Sequence, residues 1–269
     1  MKWSIIEIVK MVQITDVHLD SRERTPGGID TWDRARWACN AAAGIDPDLV
    51  VLTGDLGLHL GTAETYFELR ELLDQLPCDY LLIPGNHDER MLFTQAFGRR
   101  YRTTPDYPWL DRRAEVGGTA MILLDSADGL FQAQQLQWVD SSLAEEAGAA
   151  RRGERPRRLL IWTHHPVITG FHRYMDAEYP LRNAHDLQII LERYSGDLDL
   201  FLFCGHYHCE NVQQWRGIHQ YCTPATYVQL DPTSPNLTIV DENPAIRVID
   251  LPPLADLETV VVYRSLDDV

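Results

Sequence analysis

The chain has 269 residues, 45% hydrophobic and 24% charged, a balance that supports a folded core and excludes disordered, collagen-like and coiled-coil chains. Against 24 Lys and Arg stand 40 Asp and Glu, a net charge of −16. Nonspecific adhesion to nucleic-acid backbones or anionic lipid therefore has little electrostatic support, and an anionic substrate needs a local cation.

The opening stretch 1–10 alternates apolar and charged residues and lacks the apolar core and cleavage site of an export signal. Residues 11–15 read as a strand ending at Asp16, 30–44 as a helix, and 48–53 as a buried strand running into Gly54 and Asp55. Helical periodicity at 62–76 precedes a strand at 80–84 ending at Gly85. A short helix at 89–97 leads to an irregular loop, 98–113, with Arg99, Arg100, Tyr101 and Arg102, read as a solvated loop rather than a nucleic-acid site. A hairpin flanks Gly117 and Gly118, and a strand at 122–124 precedes Asp125. An amphipathic helix at 132–147, a charged loop at 151–158, a strand at 159–163 ending at His164, a helix at 183–194 and a strand at 200–204 ending at Gly205 and His206 follow. After Cys222 the pattern becomes strands without helices, at 227–230, 237–240, 246–251 and 259–263.

Beta-alpha alternation followed by strands predicts an α/β fold of mixed sheets covered by helices. One domain over 1–269, with a strand-rich part from about residue 219, is expected from the length. The longest apolar runs are strand-sized, so no membrane span is expected. Cys39, Cys78, Cys204, Cys209 and Cys222 are odd in number and form no C-x-x-C pair, which fits reduced thiols in a cytoplasm. The strand-rich tail could serve a homodimer interface.

Chemistry concentrates at the strand ends: Asp16-Val17-His18, Gly54-Asp55, Gly85-Asn86-His87-Asp88, Thr163-His164-His165-Pro166 and Gly205-His206-Tyr207-His208. In open α/β sheets ligands bind beyond the carboxyl ends of the strands. In extended backbone, residues i and i+2 face one side, so Asp16 with His18, and His206 with His208, are each expected to converge on a point. Carboxylate, imidazole and amide oxygen without thiolate suit Mn, Fe, Co or Zn. Seven candidate ligands exceed what one ion needs. Two ions about 3.5–4 Å apart, sharing a carboxylate, would use them and clamp a phosphoryl group for in-line displacement.

These blocks match the pattern D-x-H, G-D, G-N-H-[DE], H, G-H-x-H, and residues 11–208 resemble the calcineurin-like metallophosphoesterases. Gln135-Leu136-Gln137-Trp138, the stretch 223–232 and the stretch 245–250 look like their class III cyclic nucleotide phosphodiesterase branch. The resemblance implies a four-layer αββα sandwich of two mixed β-sheets with a dinuclear site at one edge, holding two divalent or mixed-valence ions. One ion would take Asp16, His18, Asp55 and His208, and the other Asp55, Asn86, His164 and His206, with Asp55 bridging. His164 is taken over His165 because the family's ligand lies two residues before the proline. His87 has no metal role there and faces the substrate, with Asn86 and His208 also near it.

Two divalent ions bring +4 against −2 from Asp16 and Asp55, making the pocket cationic within an acidic chain. Ions held there would acidify a water for in-line attack on phosphorus, and His87 would protonate or hydrogen-bond the leaving oxygen. The expected substrate is a small phosphodiester, 3',5'-cyclic AMP giving 5'-AMP, with a glycerophosphodiester, a 2',3'-cyclic nucleotide or a nucleotide as the alternative. His59 reads as a plain loop histidine, and 171–179 as an aromatic insert at the rim.

Overall fold

The structure, a computed structural model, describes residues 8–59, 61–98, 101, 103–104, 106–253 and 255–265. Most of the opening stretch, and Arg99, Arg100 and Arg102 of the 98–113 loop, lie outside the described residues. Five strands form one sheet in the order β13 (Glu258–Tyr263), β12 (Ala245–Leu251), β1 (Val9–Ile14), β2 (Leu49–Thr53), β3 (Asp79–Ile83). Six form the other, in the order β4 (Arg112–Val116), β5 (Thr119–Leu124), β6 (Arg158–Thr163), β7 (Asp199–Cys204), β9 (Ile218–Cys222), β8 (Asn211–Trp215). β1, β2 and β3 run parallel, as do β5, β6, β7 and β9, and the outer strands pair antiparallel. Both sheets are therefore mixed.

Side-chain alternation along the strands builds the layers. Met11, Leu49, Val51, Met121, Leu123, Leu160 and Trp162 point between the sheets into one buried cluster. Their neighbours Val12, Val50 and Leu52 face outward, packing with residues of α1 (Thr31–Ile45), α2 (Ala63–Leu73) and α3 (Arg90–Phe97). On the far side Ile122, Leu124 and Ile161 pack with residues of α4 (Ala133–Arg151) and α6 (Ala184–Tyr194). The result is the expected four-layer αββα sandwich. Asp30, Thr62 and Glu89 precede their helices as caps, each side chain accepting a backbone N–H three residues on.

The structure differs from expectation at β8–β9, a hairpin turned by Arg216 and Gly217, both at positive φ. β8 alternates partly and fully exposed residues, so it lacked the apolar run that marks a buried strand. The strands expected at 227–230 and 237–240 reduce to β10 (Gln229–Leu230) and β11 (Ile239–Asp241), a two-stranded hairpin. The Thr226 and Tyr227 amides instead donate to the Thr15 and Asp16 carbonyls, tying that segment to the loop after β1. The 171–179 insert contains one helical turn, α5 (Met175–Glu178). No helix among the described residues is long and apolar enough to cross a membrane, and all five cysteines are free thiols.

Candidate metal centre

Carboxyl ends of parallel strands from both sheets meet at one edge. β1, β2 and β3 deliver Asp16, His18, Asp55, Asn86 and His87; β6 and β7 deliver His164, His206 and His208. The convergence does not come from extended alternation. Asp16, His18, Asp55, His206 and His208 all have positive φ, between 45° and 66°, a region that non-glycine residues hold only when the surroundings over-determine it. Here the Asp16 and His18 amides donate to the carbonyls of Gly54 and Asp55 at 3.1 and 3.0 Å. A Cβ on Gly85 would collide with Asp55 Oδ1, and one on Gly205 with Thr15 Oγ1 and Asp16 Oδ2. Both motif glycines permit close approach of neighbouring loops.

Two buried groups result, each with ligand atoms mutually within 4.8 Å: Asp16, His18 and His208, and Asp55, His164 and His206. His206 and His208 thus part, one to each group, where i, i+2 spacing alone sent them to a single point. Asp55 Oδ2 stands 3.2 Å from His164 Nε2 and 3.8 Å from His18 Nε2, between the groups. His208 Nε2 lies 3.3 Å from Asp16 Oδ1 and 3.1 Å from His18 Nε2. Asn86 and His87 line the same cleft, and His87 Nε2 is 4.0 Å from Asp55 Oδ2.

Backbone carbonyls orient three of the imidazoles. His164 Nδ1 lies 2.8 Å from Thr53 O, His208 Nδ1 2.9 Å from Val228 O, and His206 Nε2 2.9 Å from Tyr179 O. In the neutral ring each nitrogen facing a carbonyl would carry the proton, and the lone pair of His164 Nε2, His208 Nε2 and His206 Nδ1 would then be open to an ion. Thr15 Oγ1 and the His206 amide donate to Asp16, and the His87 amide to Asp55 Oδ1 at 2.9 Å.

Burial alone would raise the pKa of Asp16 and Asp55, yet His208 beside Asp16 and His164 beside Asp55 hold both carboxylates well below their usual range. Burial disfavours charge on His164 too, but Asp55 overrides it and draws the imidazole up to about 9. Burial keeps His18 at about 3, and burial with nearby His164 keeps His206 at about 4. Asp55 and Asp16 draw protons onto His164 and His208, positive charge that bound ions would bring in their place, and His164 Nε2 is a buried atom without an aligned hydrogen-bond partner. The residues fit two metal ions in donor chemistry and in number.

Other sequence candidates do not belong to the ligand groups. His165 is buried against His206, ring centroids 4.1 Å apart, with Nδ1 2.9 Å from Ser126 Oγ. His59 is exposed and lines a neighbouring surface groove with Arg22 and Glu64. The insert does reach the rim, where Met175 and Tyr179 line the cleft. Two features escaped the sequence reading. Asp88 accepts from the Leu56 and Gly85 amides and from Tyr66 Oη, at 3.1, 2.8 and 2.8 Å, binding the β2 and β3 loops together; burial and then Asp55 raise its pKa to about 6. Its place in the G-N-H-D block was the available signal. Tyr227, whose ring lies 5.5 Å from that of His18, had only its place in the stretch 223–232, because its partner is 209 positions away in sequence.

The profile of calcineurin-like phosphoesterases matches residues 9–210. A probable cyclic nucleotide phosphodiesterase of Fibrobacter succinogenes is 28% identical over 244 residues, 91% of this chain and 90% of its own. A 3',5'-cyclic-nucleotide phosphodiesterase of Nostoc is 28% identical over 256 residues, 90% of this chain and 88% of its own. A glycerophosphodiester phosphodiesterase of Enterobacter lignolyticus is 28% identical over 190 residues, 68% of this chain and 64% of its own. In fold, the chain is similar to a dimetal phosphatase of Danio rerio, with TM-score 0.65 at 15% identity, covering 96% of this chain and 99% of that one.

Proposed function

Because the chain belongs to the calcineurin-like phosphoesterase family and is a metal-dependent phosphodiesterase, we propose that it hydrolyses 3',5'-cyclic AMP to 5'-AMP. One observation carries the dinuclear reading: Asp55 Oδ2 stands between a ligand group anchored by Asp16 and one anchored by His164, at 3.8 and 3.2 Å from their nearest imidazoles. Asp16, His18, Asp55 and His208 would hold one ion, and Asp55, Asn86, His164 and His206 the other. Mn, Fe, Zn or Co suits these donors. Metal ions bound there supply positive charge to the phosphate oxygens and make water more acidic.

The chain's own groups then divide the work. Thr53, Tyr179 and Val228 carbonyls favour the tautomers whose free nitrogens would face the ions. His87 stands at the cleft with its side chain 37% exposed, unlike the buried ligands, and gives its proton to the leaving 3'-oxygen as the P–O bond breaks. The cyclic nucleotide substrate is supported by the Fibrobacter and Nostoc relatives, which align along most of both chains. The Enterobacter relative favours a glycerophosphodiester as the second reading. We also place the protein in the cytoplasm, in keeping with its free thiols.

Initial rates of the Mn-loaded protein on 3',5'-cyclic AMP, 2',3'-cyclic AMP and glycerophosphoglycerol decide between these readings. The highest kcat/KM on 3',5'-cyclic AMP is expected; the highest on glycerophosphoglycerol overturns the cyclic nucleotide assignment.

A further inference from the structure

One side of the metal cleft is apolar. Tyr179, Tyr227, Val228, Leu237, Ile239 and Met175 line it beside the metal ligands, around a space of about 530 Å³. That volume is ordinary for a small-molecule site. Apart from the residues of the metal centre, the lining contains no charged side chain among the described residues. Tyr179, Leu237 and Ile239 are each more than half exposed, at 52%, 61% and 52%, so this rim offers a partner unfilled apolar surface.

Backbone bonds register the wall to the ions' ligands. Tyr179 O takes the proton of His206 Nε2 and Val228 O that of His208 Nδ1, while the Leu230 amide donates to His208 O at 2.9 Å. The bonds that orient two imidazoles therefore also set how far the wall stands from the phosphate. Beneath it, Met175 and Leu230 pack with Tyr207, Cys209 and Cys222, supporting both the insert and the β10–β11 hairpin.

We infer that this wall is the subsite for a flat, uncharged ester group, the purine base of a cyclic nucleotide, with Tyr179, Leu237 and Ile239 as specificity-determining residues. The inference rests on the phosphodiesterase reading and names what lies beyond the phosphate. A base presents a face that tyrosine and aliphatic side chains can cover, and its burial removes apolar area from water on both sides. An ethanolamine or choline head would find no carboxylate on the wall to pair with.

The test is a ratio: kcat/KM for 3',5'-cyclic AMP over kcat/KM for glycerophosphoglycerol, which has no base. Leu237→Ser and Ile239→Thr should each lower the ratio about tenfold, through KM for the nucleotide. Leu237→Met should restore it. Val240→Ser should leave it alone, because Val240 is 59% exposed on the same hairpin but does not line the cleft. An unchanged ratio in the first two variants overturns the inference. So does an equal loss on both esters, with or without a change in solution mass, which would assign the hairpin to packing or to a second copy of the chain. If the wild-type protein hydrolyses no cyclic nucleotide, the substrate proposal fails by itself. The ratio is then taken with bis-p-nitrophenyl phosphate, whose flat rings present the same surface.

Discussion

The two sheets contribute opposite chemistry to the metal centre. The five-stranded sheet supplies both carboxylates, Asp16 and Asp55, together with His18, Asn86 and His87; the six-stranded sheet supplies only imidazoles, His164, His206 and His208. The closest charge pairs cross between them, His164 to Asp55 at 3.2 Å and His208 to Asp16 at 3.3 Å. Neither sheet alone could hold two divalent ions, so the site exists only where the sheets dock. A buried polar chain stitches that junction from below. Gln13 Nε2 donates to Thr53 Oγ1 and to Cys204 O, Thr223 Oγ1 donates to Gln13 Oε1, and the buried Arg247 donates to Thr223 Oγ1. The anionic side binds charge and the imidazole side tunes it.

Removing the shared carboxylate breaks this division most severely. Asp55→Ala is expected to cost both ions a ligand and to lower turnover by roughly 10³ to 10⁵, the several kcal/mol that metal stabilisation of a phosphoryl transition state supplies. Metal analysis beside the assay checks it: two ions per chain at full occupancy would show that Asp55 does not bridge.

His87 comes from the anionic sheet yet is proposed to bind no ion. His87→Ala should retain both metals and lose about 10² to 10⁴ in turnover on a natural ester. The loss should shrink on bis-p-nitrophenyl phosphate, whose leaving group needs little protonation. Equal losses on both substrates would assign His87 to phosphate binding instead.

The two ions should also differ in affinity. Asp16 and Asp55 give one site two carboxylates, whereas the other has Asp55 with neutral Asn86, His164 and His206, and fewer anions hold a divalent ion less strongly. Calorimetric titration of the apoprotein with Mn is expected to resolve two affinities, with activity following the weaker, and Asn86→Ala to weaken that one further by about 10- to 100-fold, on the scale seen when a metal site loses support. A single affinity in the wild-type protein would remove the asymmetry.

The smallest effect lies away from the centre. Asp111, partly buried near Asp125, accepts from Tyr107 Oη, Gln135 Nε2 and the Asp125 amide, but faces no imidazole, and burial followed by Asp125 raises its pKa to about 6. A carboxyl raised above its unfolded value binds more protons when folded, so stability falls as pH rises from about 4 to 6. Between pH 5 and 7 this group should cost about 1 kcal/mol. Comparing denaturant midpoints of wild type and Asp111→Asn at both pH values isolates it, and an identical pH dependence in the two proteins would show no such shift. Asp16 and Asp55, more deeply buried but opposite histidines, shift the other way. The facing charge decides the sign.

Much of this was legible in the residues themselves. Strand-length apolar runs ending in Asp, Gly-Asp or His placed six of the eight residues of the centre at or just beyond strand ends before any coordinates, because a buried strand needs a continuous apolar run and a ligand loop needs polar side chains where that run stops. Asn86 and His87 came with the tetrapeptide that follows β3. The helical stretches expected from residues 30, 62 and 89 begin there for an equally local reason, since Asp30, Thr62 and Glu89 accept an unpaired amide of each first turn. Whatever depended on pairs distant in the chain was not legible. The parting of His206 from His208 follows from positive φ at both, which is stabilised by contacts with loops nearly 200 residues away, such as the His206 amide on Asp16. The β8 strand carries no apolar run and is a strand only because β9 pairs with it. The apolar wall belongs to the same class. Tyr179, Tyr227 and Leu237 stand in segments that share no periodicity, and they face one cleft because carbonyls in two of those segments accept the imidazole protons of His206 and His208.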